Sequence, residues 1–234
     1  MSLLDIMGIT ATNMTFYVGF GFMSDEKGLS SEFILRSLSS VIEQLDIPFP
    51  RTVFTDKDDD LMAMLDVVFP FANNMLCIRH IEKSILTRAK PILSLEVLQA
   101  VYSNNASEAA RDPDYKKHVN SKWKTMFGLF MKVVSAATEE DKDNAWNEFK
   151  VEYSNEIWRD AIQYIEDEWM NEDSSKKFLQ CYTNNYLHFG QRGTSRVESG
   201  HWMSKRDLQV SAKSTTIQFF YLSFSGVVRE GRED

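Results

Sequence analysis

Residues 51–86 read R-T-V-F-T-D-K-D-D-D-L-M-A-M-L-D-V-V-F-P-F-A-N-N-M-L-C-I-R-H-I-E-K-S-I-L, and the hydrophobic period changes three times within them. Arg51 to Thr55 is a short run of β-branched and aromatic residues ending at Asp56, the pattern of a buried strand. Asp58, Asp59 and Asp60 then crowd the first turn of a helix, where negative charge meets the positive end of the helix dipole. Leu61, Met64, Leu65 and Val68 follow at helical spacing until Pro70 closes the element. Residues 73–78 form the next strand, and a helix runs from His80 to about Leu93, stopped or kinked at Pro91. Strand, helix, strand, helix predicts an α/β layer.

Working outward, residues 3–9 are apolar and residues 14–23 (M-T-F-Y-V-G-F-G-F-M) are rich in aromatic and β-branched types. The turn-forming T-A-T-N between them makes the pair a hairpin. Ser30 and Ser31 are cap candidates for a helix whose stripe is Ile34, Leu38, Val41 and Leu45, with Pro48 and Pro50 beyond its end. From about Leu95 to Tyr182 the period is helical throughout. Thr138 opens a T-x-x-D capping box with Asp141, and Trp146, Phe149 and Tyr153 follow at helical spacing. Ile157, Trp158, Ala161, Ile162, Ile165 and Trp169 give a second wide apolar face. The predicted organisation is residues 1–94 as the first part of an α/β core, 95–182 as an all-helical insertion, 183–210 as a final core segment with a helix from near Ser195, and 211–234 as a tail.

Composition narrows the function classes. With 26 Lys+Arg against 34 Asp+Glu the net charge is −8, which argues against holding nucleic acid through overall charge and leaves only local basic stretches for it. Two cysteines, Cys77 and Cys181, exclude a disulfide scaffold. No apolar run approaches the roughly 20 residues of a membrane span, and M-S-L-L-D-I-M-G-I-T lacks the basic start of a secretory signal. Phosphate-loop, dinucleotide-binding, nucleophile-elbow and H-E-x-x-H patterns are absent.

Several residues read two ways. Asp56, at the C-terminal end of a strand, is placed where open α/β sheets carry ligands. It is either a carboxylate ligand for Mg²⁺ or Mn²⁺ or a turn residue before a helix. Glu198, in T-S-R-V-E-S-G-H-W, is either a metal-binding carboxylate or the third position of a capping box begun by Ser195. Cys77-x-x-His80 has the spacing of half a zinc site but lacks a second tight pair; buried strand thiol and helix-start imidazole is the structural alternative. Arg79, Lys83 and Lys90 share one helical face, and Arg192, Arg196, Lys205, Arg206 and Lys213 gather around the last predicted helix. Either group could neutralise phosphates or belong to a solvated mixed-charge surface.

Three stretches together resemble a known family: L-L-D-I-M-G-I-T with its following strand, R-T-V-F-T-D-K-D through M-L-C-I-R-H-I, and C-Y-T-N-N-Y-L-H-F-G-Q-R-G-T-S-R-V-E-S-G-H-W with K-R. They are similar to the transposase domain of Mutator-like elements (MULE), including its far-red-impaired-response relatives, from about Leu3 to Gln209. The resemblance implies a ribonuclease-H-like core interrupted by a helical insertion, and a DDE site in which two Asp and one Glu bind two divalent metals for DNA strand cleavage and transfer. On that reading Asp56 is the second acid, Glu198 the third, and Cys77 and His80 the family's C-x-x-H signature. Arg79, Lys83, Arg196, Lys205 and Arg206 become DNA-contact candidates. The implied cofactor is Mg²⁺ or Mn²⁺, with zinc at Cys77 and His80 as a weaker option; the implied partner is DNA and the compartment the nucleus.

The resemblance also carries a departure. The family's first Asp lies on a strand before L-L-D-I, so Asp5 does not stand in for it. The expectation is therefore a fragment, its first strand missing, with little or no activity, or a domesticated and catalytically silent relative that binds DNA or protein partners in transcription regulation. Loss of that strand is expected to detach the hairpin or leave an unpaired, aggregation-prone edge.

Overall fold

A computed structural model describes residues 2–9, 14–23, 28–188, 190 and 219–223. The chain divides into two compact units, residues 1–79 with 186–234, and residues 80–185.

The first unit is mixed α/β. Strands β1 (Ser2–Ile9) and β2 (Thr15–Met23) form the expected antiparallel hairpin, with a register shift between Ile6 and Met7. Two glycines set how closely its neighbours approach. The Phe16 ring lies over Gly8, its cross-strand partner, and a Cβ there would collide with it. At Gly21 the missing side chain admits Ile34 of helix α1 (Gly28–Gln44), so the helix lies directly on β2.

Helix α1 differs from its sequence reading in two respects. It begins ahead of Ser30 and Ser31, which therefore lie inside it, and Ser31 is buried with its hydroxyl 3.8 Å from Met23 Sδ. Its buried stripe is Leu35 and Ile42, flanked by Ile34 and Leu38, while Val41 and Leu45 are exposed. Ile34 and Leu38 of the expected stripe pack on this core, with Ile34 over Gly21, while Ile42 rather than Val41 completes it. The helix ends in a Schellman turn: Ile47 N donates to Ile42 O (3.0 Å), Asp46 N to Glu43 O (3.1 Å), and Asp46 takes φ +52°.

Strand β3 (Thr52–Thr55), helix α2 (Asp59–Val68) and strand β4 (Asn73–Leu76) form a parallel β-α-β unit, paired Thr52↔Asn73 through Thr55↔Leu76. Alternation along the strands separates two cores. Leu4, Ile6 and Val53 meet α1 and α2 on one side; Met7, Ile9, Phe54 and Met75 meet Tyr186 on the other.

The hairpin edge is not left bare, contrary to the expectation from a missing strand. Strand β5 (Phe219–Ser223), from the tail where the family likeness ends, pairs in parallel with β1 from Asp5↔Phe219 to Ile9↔Ser223. The order is β2-β1-β5, and β5 also lies beside β3.

The second unit is helical. Helix α3 (Ile78–Tyr102) enters it at His80 and runs through Pro91, which was expected to stop or kink it. Pro91 is exposed, and burial of Ile81, Ile85, Ala89, Leu93 and Val97 at every fourth position carries the helix past the lost hydrogen bond. There follow α4 (Ala106–Arg111), α5 (Tyr115–Val134), α6 (Glu139–Glu152), a 3₁₀ turn (Glu156–Trp158), α7 (Arg159–Glu168), α8 (Glu172–Ser175) and α9 (Gln180–Thr183). Thr138 caps α6 as read, its hydroxyl accepting from Asp141 N at 3.1 Å. A chain of rings, Trp123, Phe127, Phe130, Phe149, Tyr153 and Trp158, links α5, α6 and the 3₁₀ turn with successive centroids 4.9–6.2 Å apart.

Candidate functional site

The α/β unit brings one sequence-predicted acid to the end of a strand. Thr55 is the last residue in the β3–β4 register, and Asp56 follows it, half-buried. Cys77 N donates to Thr55 O at 2.9 Å, extending the ladder one step and holding the backbone of Cys77 beside that strand end. The acids after Asp56 have local work. Asp58 is the N-cap of α2, its Oδ1 accepting from Leu61 N at 2.8 Å, and Asp59 and Asp60 lie exposed in the first turn. Asp56 is thus the member of F-T-D-K-D-D-D that neither caps the helix nor belongs to its first turn.

Cys77 is fully buried and is not in a disulfide. His80, in the first turn of α3, is half-buried, its ring edge-on to Trp169 with centroids 6.2 Å apart. Among the described residues no group of three or more His, Cys, Asp or Glu side chains could hold a metal ion. Arg79, Lys83 and Lys90 are all exposed on α3. Glu198, Arg196, Lys205 and Arg206, together with the helix expected near Ser195, lie outside the described residues.

The sequence reading passed over the burial of Asp5. It is fully buried on β1, paired with Phe20 on one side and Phe219 on the other. The signal was available: L-L-D-I-M-G-I lacks polar alternation, so every position in it was due to be covered. Among the described residues no helix is long and apolar enough to cross a membrane.

Comparison with known proteins agrees with the first two of the three family-like stretches. Residues 1–84 match the MULE transposase domain, a span from β1 into α3 that contains Asp56, Cys77 and His80. The chain is also 23% identical over 232 residues to the PKS-NRPS hybrid synthetase cheA of Chaetomium globosum. That alignment covers 95% of this chain and 5% of the synthetase, whose name describes the whole of that much longer protein. No solved structure gives a significant match.

Proposed function

We propose that this chain is a MULE-type transposase domain that contacts DNA. The observation that carries the reading is the match over residues 1–84, inside which Asp56 closes β3. The core is read as ribonuclease-H-like, because a hairpin followed by a β-α-β unit lies within the matched span.

In such a site two divalent cations activate the attacking oxygen and stabilise the leaving one. Asp56 and Glu198 are the residues of this chain that would hold Mg²⁺ or Mn²⁺. The described residues meet that need only in part, with one strand-end carboxylate and no three-donor group. What this chain's own side chains supply is phosphate contact: Arg79 and Lys83 stand exposed where α3 begins, just after the Cys77 strand end. Arg196, Lys205 and Arg206 would add to it, and work on DNA would place the protein in the nucleus.

Duplex affinity measured from about 50 to 200 mM salt tests the reading, with the slope of the parent falling by about 0.9 for each phosphate contact removed in Arg79→Ala/Lys83→Ala. Identical slopes, or no binding at the lowest salt with Mg²⁺ present, would remove DNA contact; plasmid nicking in Mn²⁺ that Asp56→Ala abolishes would add strand cleavage to the reading. The net charge of −8 favours one further reading, a silent module whose partners are proteins.

A further inference from the structure

Between β1 and β3 lies a place one strand wide, and what fills it comes from more than 200 residues away along the chain from β1. Every described side chain of β1, residues 4–9, is buried, and so is all of β3, residues 52–55. Such burial is the signature of central strands, which need neighbours on both edges. β1 has β2 on one edge, and β3 has β4. The remaining edge of β1 is taken by β5, which also lies beside β3, while β1 and β3 share no ladder. The tail therefore extends one sheet and lies alongside the edge of the other.

The filling segment has the chemistry of a portable strand. Residues 214–228, S-T-T-I-Q-F-F-Y-L-S-F-S-G-V-V, carry no charge in a chain that is 26% charged, and Lys213 and Arg229 bracket them. The run is rich in aromatic and β-branched residues, which suit a paired strand. Its ladder with β1 is only five residues long. Closing so long a loop for so short a ladder makes this the strand with the least local support in the sheet.

We infer that the slot between β1 and β3 is a strand-docking site whose ligand is the chain's own residues 219–223, held in cis and separable from the rest of the fold. The inference concerns sheet completion and stands apart from the DNA reading. Docking of this kind draws its affinity from main-chain hydrogen bonds, so a single proline in the ladder weakens it.

The test uses the full chain. Ile9→Cys and Ser223→Cys, made together in a Cys181→Ser background, place thiols on ladder partners, within disulfide reach only when β5 is docked. Mild oxidation is expected to give an intrachain cross-link in most molecules; its absence, or cross-links only between chains, would overturn the proposal. In parallel, Tyr221→Pro in the full chain frees the slot for a labelled peptide of residues 214–228. The peptide is expected to bind this variant one-to-one and the parent about tenfold more weakly, the worth of a ladder hydrogen bond. Equal binding to both, or to neither, would count against a separable strand. The cross-link decides the matter even if the proline variant fails to fold.

Discussion

The helical unit and the α/β unit close their cores by opposite means. In residues 80–185, the core is closed by side chains on consecutive helices: the ring chain from Trp123 to Trp158 spans two helices and a turn, and Thr138 caps its own helix. In the α/β unit, β1 is completed by a strand that begins at Phe219, and large side chains remain outside. Phe20 is 50% exposed, Phe22 61% and Phe71 91%. β2 is an uncharged, nine-residue outer strand carrying two of these rings. The difference teaches where each unit is vulnerable. Side-chain truncation is the threat to the helical unit, and loss of a distant backbone partner to the other.

The largest expected effect lies in the helical unit. Trp158 is almost fully buried, and its indole N–H donates to Glu96 Oε1 at 2.7 Å, while Lys122 pairs with the other oxygen at 2.8 Å. Trp158→Ala should cost about 3–5 kcal/mol in urea unfolding. Trp158→Phe keeps most of the volume but removes the donor, for about 1–3 kcal/mol. A cost below about 1 kcal/mol for the alanine variant would mean that the ring chain does not hold this unit together.

In the α/β unit the counterpart is Gly21→Ala, where the new Cβ meets Ile34 and must lift α1 from β2 or force Ile34 into another rotamer. The expected loss is about 1–3 kcal/mol by the same measurement. A neutral result would show that the helix–hairpin contact yields freely, sharpening the contrast with the helical unit.

Asp46→Gly should act in the other direction. The Schellman turn places Asp46 at φ +52°, which glycine adopts without strain, so stability should rise by about 0.5–1 kcal/mol. A loss would indicate that the aspartate side chain contributes more than its backbone costs.

The smallest effect is in the alkaline range. Burial first, then the charges of Glu152 and Glu96, push the Tyr153 phenol up from 10.0 to about 12. A raised folded value means that the stabilisation is complete below about pH 10 and is lost as pH rises towards 12. Tyr153→Phe should flatten that part of the melting-temperature profile. An unchanged profile would assign the alkaline loss to other groups.

What was legible in the sequence follows the same division. The hairpin, the β-α-β unit, the capping box at Thr138 and the aromatic faces of the insertion depend on local period and turn chemistry, and each was readable. The stripe of α1 was legible in part: Ile34 and Leu38 pack on the core, but Val41 and Leu45 have the same helical period and are exposed, while Leu35 and Ile42 are buried. The role of Phe219–Ser223 was hidden because partner choice across 200 residues leaves no mark in local pattern. Pro91 does not end α3, since packing along the helix outweighs a local breaker. The place of Asp56 at a strand end was legible because a short buried run followed by helix-start acids is a local feature. The burial of Asp5 needed only the absence of polar alternation to be noticed.

The central proposal is that DNA contact is made around the strand end at Asp56 and at the start of α3. Hydrogen–deuterium exchange of the full chain, with and without duplex DNA in Mg²⁺ at low salt, tests it most directly. The account predicts slowed exchange at residues 56–60 and 77–83, with the helices between Tyr115 and Glu168 unchanged. Protection confined to those helices, or none anywhere at saturating DNA, would contradict it.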